Sequence, residues 1–164
     1  MRARTRAADP GDAAELAALL NRIVDEGDRT AIDSHLDEPQ LREWFITGEH
    51  VLGCVVAEGD DGALQGFQAY ERFHQDLPAR WADIATFVDG AARGTGVGRR
   101  LFAETLPHAS STGTSMLRAV VRAGNREALA YYRACGFAEP PGGATGVPPS
   151  SGQLTLVRPV AAHG

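Results

Sequence analysis

Hydrophobic and polar positions repeat in two ways along the chain, and together they predict a mixture of helices and strands. Near the N-terminus, apolar residues return every three or four positions, as on one face of an amphipathic helix: Leu16, Leu19, Leu20, Ile23 and Val24. Elsewhere, short apolar runs bounded by glycine, proline and charged residues are typical of strands. We predict strands over residues 2–7, 51–58, 64–71, 81–88, 116–122 and 153–159, and helices that begin at 9–12, at 38–40, after 96 and at 125.

A single domain is expected for the whole chain, residues 1–164. Its length and its 43% hydrophobic content are sufficient for one core, and no internal repeat or linker divides it. The proline- and glycine-rich segment 140–152 interrupts the pattern before the last strand. We expect this segment to be a flexible surface insertion, with a flap beside the substrate as the alternative.

The most informative segment is a glycine-rich turn between the strand that ends at Val88 and the helix that follows it. Gly94, Gly96 and Gly98 alternate with other residues across this turn. Small residues let backbone N–H groups converge on an anion, and the start of the next helix adds its positive dipole end. The turn therefore predicts a site for a phosphate-bearing ligand.

Two familiar phosphate motifs do not fit this turn. In the dinucleotide pattern G-x-G-x-x-G the third glycine would fall on Arg99, and the region about 20 positions on, 117–122, holds no acidic residue. The Walker pattern requires a lysine, whereas all 16 basic residues of this chain are arginine. Both nucleotide-binding interpretations are therefore excluded.

A third pattern does fit, and it occurs together with a second motif. Arg93-x-x-Gly96-x-Gly98 resembles the acetyl-CoA loop [RQ]-x-x-G-x-[GA] of the GNAT superfamily of N-acetyltransferases, although relatives often carry proline where this chain has Gly90. Residues 125–137 resemble the superfamily's later signature N-x-x-A-x-x-x-Y-x-x-x-G-F. That spacing also suits a helix with an asparagine N-cap and a glycine C-cap. The two motifs in this order identify the chain as similar to that superfamily.

The resemblance implies a fold and a donor substrate. The fold is α+β: a mostly antiparallel central sheet of six to seven strands with four helices, splayed between the fourth and fifth strands. The donor is acetyl-CoA, and no metal is expected. The implied acetyl-CoA contacts are Thr86, Phe87, Val88, Arg93, Gly94, Thr95, Gly96, Val97, Gly98, Arg99, Asn125 and Tyr132. In this arrangement the pyrophosphate lies on the N–H groups of the glycine turn, and a backbone N–H of the fourth strand polarises the thioester carbonyl.

The resemblance also suggests catalytic residues. Tyr132 stands where the superfamily often places its general acid. Asp83 stands where the subgroup of phosphinothricin and methionine sulfoximine acetyltransferases has a glutamate, which makes it the first candidate for the base. Glu71, at the end of the preceding strand, is the second carboxylate, and His74 is a third choice. A base is needed because a primary amine of pKa about 10.4 is almost entirely protonated at neutral pH.

Charge and composition restrict the partners. A net charge of −5 supplies no basic stripe for a phosphate backbone, so we expect no nucleic acid. The most apolar run, 51–57, is far too short to span a membrane. The first residues lack the apolar stretch of a secretory signal. We therefore expect a cytoplasmic enzyme, and the subgroup resemblance suggests a homodimer.

The acceptor is the open question of the sequence. We expect the amine of a small molecule, such as an amino acid or an amino-acid-like toxin, with Arg29 or Arg72 available for a carboxylate. A protein N-terminus or lysine side chain is the alternative acceptor. The third hypothesis is a non-catalytic module that only binds acyl-CoA.

Overall fold

The short apolar runs form a single sheet whose strands follow one another in chain order. In the computed structural model, which describes residues 3–27, 29, 30, 32–141 and 152–161, the sheet has six strands in the order β1-β2-β3-β4-β5-β6. Their bounds are β1 Arg4–Ala7, β2 Val51–Glu58, β3 Leu64–Glu71, β4 Trp81–Val88, β5 Met116–Arg122 and β6 Gln153–Pro159. Neighbouring strands are antiparallel except β4 and β5, which are parallel. The predicted mixed fold is confirmed.

Four α-helices lie in the described part of the chain: α1 Ala13–Asp25, α2 Glu38–Arg42, α3 Val97–Ser111 and α4 Arg126–Ala134. Capping chemistry starts both N-terminal helical segments, because Asp9 and Asp37 each form a capping box with the residue three positions on. Asp37 caps α2 directly, whereas Asp9 caps a 3-10 turn over Pro10–Asp12 that leads into α1. The second predicted helix differs from a regular α-helix, since a π-helical turn over Glu43–Thr47 continues α2. This turn packs Phe45 against Phe67 and Phe87 of the sheet.

Apolar side chains cover both faces of the sheet, and the alternation along β4 assigns its residues to one face or the other. Ala85 and Phe87 join the core formed with α1 and α2, whereas Ile84 joins the core formed with α3 and α4. The alternation predicted for this strand is therefore confirmed. Consequently Asp83 faces the side of α1 and α2, and Thr86 faces the side of α4.

The sheet opens between its two parallel strands. Within the described residues, the pairing of β4 with β5 covers Trp81 with Met116, Ala82 with Leu117 and Asp83 with Arg118, and then ends. Strand β5 nevertheless pairs with β6 along its whole length, so β5 itself stays extended. The two strands therefore diverge after Asp83, and the backbone of residues 84–88 is left without a β5 neighbour. This is the predicted splay.

Some sequence expectations fall at or beyond the limits of the described chain. The first strand begins at Arg4 rather than near residue 2, and residues 1 and 2 lie outside the described part. Most of the proline- and glycine-rich segment, residues 142–151, also lies outside it. Among the described residues, no helix has the length and apolar character required to cross a membrane.

Candidate active site

The glycine turn builds an exposed helix N-terminus at the open end of β4. Gly96 is the N-cap of α3, with a φ of 89° that favours glycine, and it offers no side-chain oxygen to the helix. The first N–H groups of a helix have no acceptor within it. Those of Val97 and Gly98 therefore remain available to a ligand, and both residues line a cleft of about 1000 Å³. This geometry suits a phosphate group.

The cleft brings together the residues predicted to contact acetyl-CoA. All of them line it except Thr95, whose hydroxyl donates to the carbonyl of Ala92. The backbone of β4 forms one wall of the cleft, α4 forms another, and the glycine turn closes the end. Asn125 also caps α4, accepting a hydrogen bond from the N–H of Ala128 at 3.1 Å. The predicted cap is confirmed.

Two residues of the turn have roles that the pattern did not indicate. The guanidinium of Arg93 is bound to the carboxylate of Glu26 through N–O distances of 2.7 and 2.5 Å. The side chain of Arg93 is thus held by an ion pair with Glu26, while the residue lines the cleft. A Cβ at Gly98 would lie 2.7 Å from the ring of Tyr131. Glycine at position 98 is therefore required by packing against α4.

The role of Gly96 in acetyl-CoA binding can be tested by substitution, with Gly113 as a matched control. Gly96 and Gly113 have similar φ angles, 89° and 80°, and an added Cβ would meet no atom within 4 Å at either position. Alanine at either position should cost about 1–2 kcal/mol of unfolding free energy, because an L residue is strained there. Only Gly96→Ala should also weaken acetyl-CoA binding by about tenfold or more, because only Gly96 starts the helix at the cleft. Calorimetric titration with acetyl-CoA and urea unfolding measure the two effects, and equal affinities for the two variants would contradict the assignment.

A second cleft, of about 670 Å³, opens on the other side of β4. Its apolar wall includes Trp44, Phe45 and Phe73, and its polar groups include Glu71 and Asp83. The two clefts share lining residues at the point where β4 leaves β5: Arg29, Thr86, Phe87, Asn125, Ala128 and Tyr132. They therefore meet at the gap in the sheet.

Tyr132 lies at this meeting point. Its side chain is buried, and its hydroxyl lies 2.8 Å from Oγ1 of Thr86. Burial raises the pKa of Tyr132 to about 12, partly offset by hydrogen bonding from Thr86. The hydroxyl therefore carries its proton at neutral pH and can donate a hydrogen bond.

Gln68 connects Tyr132 to the glycine turn. Its Nε2 lies 2.8 Å from Oγ1 of Thr86 and 2.9 Å from the hydroxyl of Tyr131. The Tyr131 hydroxyl in turn donates to the carbonyl of Gly98 at 2.7 Å. Gln68 is fully buried, and its Oε1 has no hydrogen-bond partner among the described residues. An unpaired buried acceptor of this kind costs about 1–3 kcal/mol.

Glu71 lies next to Asp83 across β3 and β4, and on the same face. One of its carboxylate oxygens accepts a hydrogen bond from the N–H of Phe73 at 2.6 Å. Burial, together with the nearby charge of Asp83, raises the pKa of Glu71 to about 7, although the hydrogen bond from Phe73 and the charge of Arg118 act in the opposite direction. A carboxylate with this pKa is a far stronger base than an ordinary glutamate, and it is still ionised in about half of the molecules at neutral pH.

Asp83 is held in a buried ion pair. Its two oxygens accept from Nε and Nη2 of Arg118 at 2.6 and 2.9 Å. The two residues face each other in the last pair of the β4–β5 ladder. This bidentate geometry indicates that Asp83 fixes the position of Arg118 where the two strands begin to separate. Because its carboxylate is bound to Arg118, Asp83 is less available than Glu71 to accept a proton.

Asp83→Asn is expected to destabilise the protein, because Arg118 would keep its charge in a buried position without this counter-charge. Removing one partner of a buried pair costs about 3 kcal/mol or more. Urea unfolding should show this loss, whereas Asp76→Asn, at a carboxylate of the same cleft outside the ion pair, should unfold like the wild type. A loss of activity in Asp83→Asn without a loss of stability would indicate instead that Asp83 acts chemically.

The other candidates from the sequence lie in different surroundings. Nε2 of His74 lies 4.0 Å from the carboxylate of Asp83, and its side chain is mostly exposed. Arg72 donates to the carbonyls of Pro78 and Trp81, and so it stabilises the loop before β4. Arg29 lines both clefts and is paired with Glu127 of α4.

Comparison with known proteins agrees with this geometry. Residues 18–137, well over half of the chain, match the acetyltransferase (GNAT) family. The chain belongs to this family. A Bacillus subtilis (strain 168) protein named "Putative phosphinothricin acetyltransferase YwnH" is 29% identical over 136 residues, which cover 82% of this chain and 83% of that protein.

Solved structures of acetyltransferases have the same fold. A GCN5-related N-acetyltransferase from Kribbella flavida is 25% identical, with a TM-score of 0.79 and coverage of 96% of this chain and 98% of that one. A phosphinothricin acetyltransferase from Sinorhizobium meliloti, solved in complex with acetyl-CoA, is 23% identical, with a TM-score of 0.81 and coverage of 98% and 90%. Acetyl-CoA is thus bound by proteins of this fold.

The acetyltransferase has exposed N–H groups at the start of α3 and a stretch of β4 backbone without a β5 neighbour, and one cleft joins the two. In the described part of the chain, no group of three or more histidine, cysteine or carboxylate side chains is placed to hold a metal ion.

Three residues around the site were missed as site residues at the level of the sequence. Arg118 interrupts an otherwise apolar strand, and a charge in such a run is a usable signal of a buried ion pair. Gln68 occupies one ordinary position of an alternating strand, and nothing marks it. Glu26 lies 67 residues before its partner Arg93, and only the tertiary structure brings them together.

Proposed function

We propose that the acetyltransferase moves the acetyl group of acetyl-CoA directly to the amine of a small molecule. The observation that carries this proposal is the meeting of the two clefts at the gap between β4 and β5. Tyr132 borders the gap from the side of α4, and Glu71 and Asp83 lie on the opposite face of the sheet. A proton donor and a proton acceptor therefore flank the same opening from its two sides.

On the donor side, the chain supplies binding and polarisation. The N–H groups of the glycine turn hold the pyrophosphate, and the edge of β4 that has no β5 neighbour, at Thr86, Phe87 and Val88, binds the pantetheine arm. One N–H of this strand donates to the thioester carbonyl, a type of contact worth about 3–4 kcal/mol in transition-state stabilisation. Tyr132 donates a hydrogen bond to the sulfur as negative charge develops on it.

On the acceptor side, we assign the base to Glu71 rather than to Asp83. Its pKa of about 7 makes Glu71 the better proton acceptor for an ammonium group, whereas the carboxylate of Asp83 is occupied by Arg118. Because Glu71 lies at the end of its strand, three positions along the register from Gln68 and Thr86, a water molecule completes the path to the amine. The neutral amine then attacks the thioester carbon.

The second cleft supports a small acceptor. It combines an aromatic wall with both acidic and basic side chains, and its volume of about 670 Å³ fits one small molecule. A compound with an amine, a carboxylate and an apolar part would use all three kinds of lining. The name of the Bacillus relative agrees with an amino-acid-like acceptor.

Release of the CoA thiol tests this proposal. The protein is mixed with acetyl-CoA and, separately, with amino acids, simple amines and peptides. Fast release with an amino acid or amine, above the rate of hydrolysis, is the expected result. Release with peptides alone would favour a protein acceptor. Tight acetyl-CoA binding without release for any acceptor would favour a binding module.

Two further expectations rest on the sequence resemblance. We propose that the enzyme works in the cytoplasm and forms a homodimer. Light scattering coupled to gel filtration measures the mass directly, and a mass near the 17.4 kDa of one chain would contradict the dimer.

A further inference from the structure

Gln68 occupies an unusual place for an amide. It is fully buried in β3, under the point where β4 leaves β5, and its Oε1 has no hydrogen-bond partner among the described residues. An apolar side chain of similar volume would avoid that unpaired acceptor. The NH₂ group of the amide, which contacts Thr86 and Tyr131, therefore explains why this position holds a glutamine.

The orientation of the amide follows from the chemistry of Tyr131. The Tyr131 hydroxyl donates to the carbonyl of Gly98, which can only accept. The hydroxyl has one proton, so towards Gln68 it can act only as an acceptor. The atom of Gln68 that faces it must be the NH₂ group, as the 2.9 Å contact has it.

The second proton of that NH₂ group reaches Thr86. Nε2 lies 2.8 Å from Oγ1 of Thr86, and with one proton used by Tyr131 the other is directed at this oxygen. The Thr86 hydroxyl then accepts a hydrogen bond from Gln68, and its own proton remains available for donation. In the described part of the chain, the other hydrogen-bond contact of this hydroxyl is with the hydroxyl of Tyr132, at 2.8 Å.

We propose that Gln68 is a positioning residue whose amide sets the direction of this hydrogen-bond chain, so that Thr86 donates to Tyr132 and Tyr132 turns its own proton into the gap. The proposal rests on the proposed function, in which Tyr132 assists the leaving sulfur. These hydrogen bonds lead from the amide of Gln68 to the Thr86 hydroxyl and then to the Tyr132 oxygen.

The same amide also joins the acid to the donor site. Through Tyr131 it is connected to the carbonyl of Gly98 in the first turn of α3, and through Thr86 it is connected to Tyr132. The helix start that receives the phosphates and the hydroxyl that faces the sulfur therefore share one buried anchor.

A set of variants in two backgrounds tests the proposal. Thr86→Val removes the hydroxyl and keeps the shape, Gln68→Met removes the amide donors, and Thr86→Ser restores a hydroxyl. We expect Thr86→Val and Gln68→Met to lower kcat about tenfold with the KM for acetyl-CoA within about twofold. Thr86→Ser should keep most of the activity. Thermal unfolding and acetyl-CoA titration identify any variant that fails to fold.

The decisive comparison repeats Thr86→Val in a Tyr132→Phe background. If Thr86 acts by orienting the Tyr132 proton, the substitution has no further effect once that proton is absent. The same loss of kcat in both backgrounds, or wild-type kcat in Thr86→Val and Gln68→Met, would overturn the proposal while leaving the proposed function intact. A fully active Tyr132→Phe would instead refute the acid role itself.

Discussion

Tyr132→Phe is expected to lower kcat about 100-fold while acetyl-CoA still binds with nearly unchanged affinity. General acid assistance contributes about 10²–10⁴-fold to a rate. The substitution removes only the hydroxyl, so the packing of the ring against Phe137 and Tyr131 is retained. Stopped-flow measurement of thiol release at saturating substrates determines kcat, and calorimetric titration determines the affinity.

The neighbouring tyrosine is the matched control. Tyr131→Phe also loses one hydroxyl on the same helix, but that hydroxyl contacts Gln68 and Gly98, whereas the hydroxyl of Tyr132 contacts Thr86. We expect its main effect on the KM for acetyl-CoA, because it contacts the first turn of α3. Its loss of kcat should be smaller than that of Tyr132→Phe, because its contact with Gln68 reaches Tyr132 only through Thr86. Equal losses of kcat in the two variants would indicate a general disturbance of α4 and contradict a specific role for Tyr132.

Glu71→Gln is the second substitution expected to have a large effect, and it should change the pH dependence of kcat. A base with a pKa of about 7 must lose its proton to act, so wild-type kcat should rise about tenfold per pH unit below 7 and level off above it. In the variant this plateau should disappear and kcat at pH 8 should fall about 100-fold. Asp76→Asn, at another carboxylate of the second cleft, should keep the wild-type profile.

Although Glu71→Gln should lower kcat, it should make the folded protein more stable above pH 7. The pKa of Glu71 is raised from 4.5 to about 7 by burial, so the folded state binds the proton more tightly than the unfolded chain does. The cost of the buried charge is absent below pH 4.5, grows as the pH rises to 7, and is fully present above 7. The variant should therefore have a higher Tm than the wild type at pH 8 and a similar Tm at pH 4.5. A lower Tm at pH 8 would show that the carboxylate stabilises the fold and would weaken its assignment as the base.

The parts of the fold set by local chemistry could be predicted from the sequence. Asp9, Asp37 and Asn125 mark the helix starts because each side chain accepts from an N–H two or three residues on. Strand alternation assigned Asp83 and Thr86 to opposite faces because the side-chain period of a strand is two. The glycine turn was recognisable from its alternating glycines, and the positive φ of Gly96 shows why the turn needs glycine there.

The relative roles of the two carboxylates could not be predicted, because they depend on residues distant in the chain. The pairing of Asp83 with Arg118 joins positions 35 residues apart and depends on the register of β4 against β5. The raised pKa of Glu71 depends on how deeply the folded chain buries its carboxylate. The sequence therefore favoured Asp83 as the base, whereas the tertiary surroundings favour Glu71.

A single-turnover experiment tests the central claim most directly. The enzyme is loaded with ¹³C-acetyl-CoA in stoichiometric amount and mixed with an accepted small amine, and the quenched products are followed by mass spectrometry. With direct transfer, the N-acetylated amine should appear at the same rate as free CoA, and Tyr132→Phe and Glu71→Gln should slow both products equally. Release of CoA without acetylated amine, or an acetyl group that accumulates on the protein before it reaches the amine, would contradict direct transfer across the gap between β4 and β5.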